Sequence, residues 1–126
     1  MAASPEFLAH AHDLFGDLGP LATKPMFGGT ALYLEDAMFA VIFNDTLYMK
    51  ADKALAAEYR AAGSTPFQYN SKTGLRTIAG LTSLPESALD DPEEARNWGR
   101  KSLIPAQAAA IERARVKRAR PGQIRP

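Results

Sequence analysis

Met26-Phe27-Gly28-Gly29-Thr30, continuing through Ala31-Leu32-Tyr33-Leu34 and Ala37-Met38-Phe39-Ala40-Val41-Ile42-Phe43 to Leu47-Tyr48-Met49-Lys50, is the stretch on which the fold turns. Residues 37–43 are apolar without interruption, and a run of that length between turn residues suits a strand covered on both faces. Glu35-Asp36 before it and Asn44-Asp45 after it are two-residue polar pairs of the kind that tolerate positive φ or bond their own backbone, as tight hairpins require. The spacing predicts a three-stranded antiparallel meander with residues 37–43 at its centre. By strict alternation Phe39, Val41 and Phe43 point to one face and Met38, Ala40 and Ile42 to the other, so both faces are apolar and need cover. Gly28-Gly29 interrupts an extended segment and predicts a bulge, a bend or a close backbone approach. Its spacing fits neither the dinucleotide fingerprint nor a phosphate loop, and no helix start follows it.

Working outward, Ser4-Pro5-Glu6 opens a helix with a capping serine, a proline at the first position and an acid near the positive end of the dipole. Phe7, Ala11, Leu14 and Leu18, with Leu8 and Phe15 beside them, form its apolar stripe. Thr23-Lys24-Pro25 leads into the meander. Beyond it, Asp52 caps a short helix with Leu55, Tyr59 and Ala62 on one side and Gly63 as its left-handed terminus. Residues 64–69 and 75–79 read as a hairpin around Asn70–Gly74. Residues 81–90 read as a loop with one turn at Glu86–Leu89.

Asp91-Pro92-Glu93-Glu94 then starts a helix, with aspartate as cap and Glu94 as its capping-box partner. Ala95, Trp98 and Ser102 share one face of it, with Trp98 as a core anchor. Pro105 is expected to break or kink this helix before a second helical run over residues 106–118. The fold expected is α+β: a mainly antiparallel sheet of about five strands, meander plus hairpin, with helices mostly on one face and a helical C-terminus. An apolar sheet face left uncovered favours a homodimer. The alternative is that the Trp98 helix crosses to that second face.

The 126 residues are 46% hydrophobic and 23% charged, the composition of one globular domain. No apolar run approaches the ~20 residues that span a bilayer, and residues 1–6 lack the layout of a secretory signal, so a cytoplasmic protein with no membrane association is expected. There is no cysteine, hence no disulfide, thiolate nucleophile or zinc–thiolate site. Charge is uneven. Residues 113–126 hold six cations and no acid, whereas the rest of the chain has nine Lys and Arg against fourteen Asp and Glu. This divides the chain into a domain over residues 1–112 and a basic tail over 113–126.

The residues that could carry chemistry are few. His10 and His12 sit about 200° apart on one helix and cannot share a metal. The serines and threonines fall outside any nucleophile-elbow pattern, and the acids at 90–94 coincide with a helix start, which favours them by the backbone dipole alone. No catalytic residue, cofactor or metal is expected. Tyr33, Tyr48, Tyr59 and Tyr69 could line a small-molecule pocket or enzyme site, though aromatic residues in strands are ordinary core material. Arg113, Arg115, Lys117, Arg118 and Arg120 surround the last helical turns with positive charge suited to phosphates or to an acidic partner. They could equally form a solvated tail.

Met26-Phe27-Gly28-Gly29, Tyr33-Leu34, Met38-Phe39-Ala40, Leu47-Tyr48-Met49-Lys50-Ala51-Asp52, Ala62-Gly63-Ser64 with Pro66-Phe67, Leu84-Pro85-Glu86 and Trp98 resemble the N-terminal domain of the TfoX/Sxy competence regulators. The likeness covers about Phe7 to Leu103. It rests on core and turn residues and names no chemistry. Larger members carry a second, helical domain; with the chain ending at Pro126, a single-domain form is expected here. The resemblance implies a regulator of competence genes working with the transcription machinery. With no catalytic set among the residues, a non-catalytic module acting through protein contacts is the expectation, and the basic tail supplies a separate alternative, a nucleic-acid-binding accessory role.

Overall fold

The computed structural model describes residues 4–26 and 28–119. Helix α1 (Pro5–Phe15) is followed by a single 3-10 turn and by strands β1 (Leu21–Met26), β2 (Gly29–Leu34), β3 (Ala37–Phe43) and β4 (Thr46–Lys50). Helix α2 (Lys53–Ala61), strands β5 (Pro66–Ser71) and β6 (Gly74–Ser83), a 3-10 turn at Glu86–Asp90 and helix α3 (Pro92–Ala119) complete the chain. The six strands form one open antiparallel sheet in the order β1-β2-β3-β4-β6-β5.

The expected meander is present with β3 at its centre, and its turns have the required backbone. Glu35 has φ 56°, and Asn44 and Asp45 have φ 52° and 54°, the conformation that matches hairpin turns to strand twist. The start of the meander differs from expectation. The segment before the glycines is itself an edge strand, β1, paired Met26 to Gly29 through a two-residue turn. Pro25 is tolerated there because an edge strand can leave a backbone donor out of the ladder. Gly28, at φ 78°, makes that turn possible, and Gly29 answers the predicted close approach: a Cβ there would lie 2.2 Å from the Ile42 carbonyl oxygen.

Strict alternation along β3 also fails. Leu32 pairs with Ala40, but Tyr33 pairs with Met38, so Phe39 is an extra, bulged residue. The bulge turns Phe39 and Ala40 to the same side, and Phe39 joins Ile42 in the larger core instead of Val41 and Phe43. Phe39 meets Phe15 of α1 edge to face, with ring centroids 5.4 Å apart.

All three helices cover this same side. Ser4 accepts from the Phe7 amide and Asp52 from the Leu55 amide, so both short helices have the caps their sequences predict. Asp91 accepts from the amides of Glu93 and Glu94 at the head of α3. Glu94 does not return the favour as a capping box would; its carboxylate takes the Ser87 hydroxyl and the Trp98 indole N–H instead. Helix α3 carries Ala95, Ser102 and Ala106 buried against the sheet, and Gly99 lets it approach α1, since a Cβ there would crowd Leu18 and Phe15 at 2.9 and 3.2 Å.

Of the break or kink expected at Pro105, the break does not occur: α3 runs as one helix of 28 residues with the proline inside it. Proline costs the helix its own donor, but the buried stripe continues on both sides of it through Ser102 and Ala106, and docking of that stripe outweighs the local penalty. The loop expected over residues 81–90 is also shorter. Strand β6 extends to Ser83, and its last residues pair with β4. Between Phe67–Ile78 and Pro66–Thr82 three residues of β6 have no partner on β5, so the β5–β6 hairpin bends away from the plane of the sheet.

Candidate functional site

The face of the sheet away from the helices is the part of the molecule without a second layer among the described residues. Ala31, Val41, Phe67 and Leu81 are buried on it, with Met26, Tyr33, Met38, Phe43, Tyr48 and Ile78 half-buried around them. Because the hairpin bends inwards, Phe67 of β5 reaches β3 and β4: its ring lies 5.3 Å from that of Phe43 and 4.7 Å from that of Tyr48. Tyr69 stacks on it from the outside at 6.1 Å. Phe43, Phe67, Tyr69 and Ile78 enclose an apolar cleft of about 230 Å³.

The residues singled out from the sequence divide between the two sides. Met26, Tyr33, Tyr48 and Lys50 converge on the open face, by register and by packing. Phe39, Gly63 and Trp98 belong to the helical side or its turns, Gly63 closing α2 at φ 96°. Gly28 and Gly29 shape the first hairpin; Phe27 lies outside the described residues. Of the four tyrosines, Tyr33, Tyr48 and Tyr69 share the open face. Tyr59 is on the other side, so the four do not line one pocket.

Tyr59 is fully buried between α2 and α3. Its hydroxyl is 2.6 Å from the Ser102 hydroxyl and donates to the Trp98 carbonyl at 3.2 Å, while its ring stacks on Trp98 with centroids 4.4 Å apart. Burial holds its hydroxyl far above the ordinary phenol range; the Ser102 hydrogen bond pulls the other way and Glu58 adds a small upward push. That is the chemistry of a structural tie, a phenol kept neutral. His10 is likewise occupied, with Nε2 2.7 Å from the Leu89 carbonyl. Among the described residues no three His, Asp or Glu side chains gather as a metal would need.

The basic segment is helical through Ala119 and continuous with the core helix, with no structural break at residue 113. Arg113 donates to the Asp36 carbonyl at 3.3 Å, and Arg115 forms a two-point contact with Glu112 at 2.6 and 3.2 Å. Lys117 and Arg118 are exposed; Arg120 lies outside the described residues. Three features were not read from the sequence. Lys24 lies over the Tyr33 ring at 5.0 Å, Arg76 shares the side of Tyr69 across the β5–β6 ladder, and Ile104 and Ile111 stand exposed on α3. Heptad spacing was a signal for the last pair. The first two needed the register.

A two-layer α+β domain, with three helices on one face of an open antiparallel sheet and an aromatic second face, is the class this architecture defines. Within it, the chain belongs to the TfoX N-terminal domain family, whose pattern it matches over residues 13–106. It is 30% identical over 101 residues to the DNA transformation protein TfoX1 of Aliivibrio fischeri, an alignment covering 80% of this chain and 44% of that protein. The chain thus spans less than half the length of that relative. The family is of the competence-regulator type, and no described helix is long and apolar enough to cross a membrane.

Proposed function

We propose that this chain is a non-catalytic regulatory module that acts in the cytoplasm through protein contacts with the transcription machinery. Family membership and the relative's role in DNA transformation support the regulatory part of the reading. The observation that carries the protein-contact part is on α3. Ile104 and Ile111 are each 68% exposed, and seven residues apart they lie on one side of the helix, away from the buried stripe. Arg100, Arg115 and Arg118 follow the same side at helical spacing. Two apolar anchors flanked by cations suit the apolar face of an acidic amphipathic segment.

Site-specific photocrosslinking at Ile111 in the native cell tests this. Crosslinks to a subunit of the transcription apparatus, lost in an Ile104→Asp variant together with expression of the regulated genes, are expected. Unchanged gene expression in the Ile104→Asp/Ile111→Asp double variant, with no such crosslink, overturns the proposal.

A further inference from the structure

The six strands contain no Asp or Glu, in a chain whose first 112 residues are otherwise acidic. Their only charged side chains are Lys24, Lys50 and Arg76. The register puts all three on the helix-free face: Lys24 pairs with Ala31, Lys50 with Leu81 and Arg76 with Tyr69. Paired residues in a ladder share a side, and Ala31 and Leu81 are buried on the open face. Acids lie instead in the helices, as at Glu58 and Glu112, and in the connecting turns, as at Glu35-Asp36 and Asp45. The same face carries a contiguous run of rings from Tyr69 through Phe67 to Tyr48 and Phe43, with Tyr33 beneath Lys24 at the other end.

Cations without acids, interleaved with aromatic rings, complement a ligand that is both anionic and flat-ringed. The cleft of about 230 Å³ lies below the 300–1,000 Å³ common for drug-sized ligands, so it holds one planar ring system. The geometry points to this face as a platform for single-stranded nucleic acid. One base enters the cleft beside Phe67 and Tyr69, and neighbouring phosphates lie against Lys24, Lys50 and Arg76. A single strand is required because duplex bases keep their faces stacked on one another, out of reach of protein rings. This goes beyond the regulatory reading and does not depend on it, since it uses the side of the domain opposite α3.

The test is fluorescence anisotropy of the full chain with labelled fifteen-nucleotide oligo(dT) and oligo(U) and with a labelled duplex, across a salt series. Oligo(dT) or oligo(U) is expected to bind more tightly than duplex. Tyr69→Ala, at a position 39% exposed, should weaken binding by roughly five- to 150-fold, the range for loss of one base–aromatic stack. Arg76→Ala should lower the salt slope by about 0.7, one phosphate contact on a single strand, and provides the readout should Tyr69→Ala fail to fold. Arg115→Ala/Lys117→Ala/Arg118→Ala should retain the preference for single strands. Three results overturn the assignment: no binding at ~100 μM chain in low salt; binding lost in the α3 variant but intact in the sheet variants, which gives nucleic acid to the helix; or a concentration-dependent dimer abolished by Tyr69→Ala, which gives the face to a second copy of the chain.

Discussion

The contact that joins α2 to α3 can be taken apart one atom at a time. Tyr59→Phe removes a hydroxyl held by Ser102 and by the Trp98 carbonyl, in a fully buried position. Loss of the pair leaves the Ser102 hydroxyl with only a carbonyl of its own helix to turn to, so the cost should be about 1–3 kcal/mol. Ser102→Ala is milder, about 0.5–1.5 kcal/mol, because Tyr59 keeps the Trp98 carbonyl as acceptor. If the two side chains act through each other, the double variant costs less than the sum by about 1 kcal/mol. Urea unfolding followed by Trp98 fluorescence, which reports the stacked pair directly, measures all four corners of the cycle. Additivity within about 0.3 kcal/mol would refute the claim that this hydrogen bond couples the helices.

The remaining expectations concern pH and backbone. Tyr59 has its folded pKa raised above the unfolded value near 10, so its contribution to stability is fully present below that pH and is lost as pH rises above it; the alkaline fall in unfolding free energy should be shallower in Tyr59→Phe. Pro105→Ala restores the missing donor inside α3 and should stabilise by up to about 3 kcal/mol, read as a raised urea midpoint at constant slope. Glu35→Gly relieves a non-glycine residue at φ 56° and should raise stability by about 1 kcal/mol, measured by calorimetry. Ending the chain at Glu112 removes described side chains that are exposed throughout, so cooperative unfolding should persist; loss of the transition would place the last turns of α3 in the core.

The elements written by periodicity and caps were legible in the sequence. Residues 37–43 announced a central strand, the polar pairs on either side announced its hairpins, and Ser4, Asp52 and Asp91 marked helix starts that the structure keeps. What escaped was decided by single residues against an unchanged background. In a run where every position is apolar, inserting Phe39 as a bulge leaves no trace in the pattern, yet it reverses which face the residues before it occupy. Strand β1 was hidden by Lys24 and Pro25, both poor strand residues except at an edge. Pro105 obeyed a buried stripe that only tertiary packing reveals. The open face was half legible: Tyr33, Tyr48, Tyr59 and Tyr69 read together as able to line one pocket, of which three share the face and Tyr59 does not, and the company of Lys24, Lys50 and Arg76 depends on ladder register, which alternation cannot supply across a bulge.

The position of α3 also orders events during synthesis. Phe39, Ala40 and Ile42 of β3 receive their cover from α1 and from the last helix, where Ala106 is buried and Ala110 packs against the same cluster. At 5–20 residues added per second, about 3–13 s separate the appearance of Phe43 from that of Ala110. During that interval the nascent sheet has α1 and, once made, the short helix α2 to shield it, and its two unpaired edges and aromatic surfaces are open to other chains. Holding the meander apart from its neighbours until α3 is made is therefore work for the ribosome surface or a chaperone, and a slower passage through residues 92–110 would lengthen that exposure.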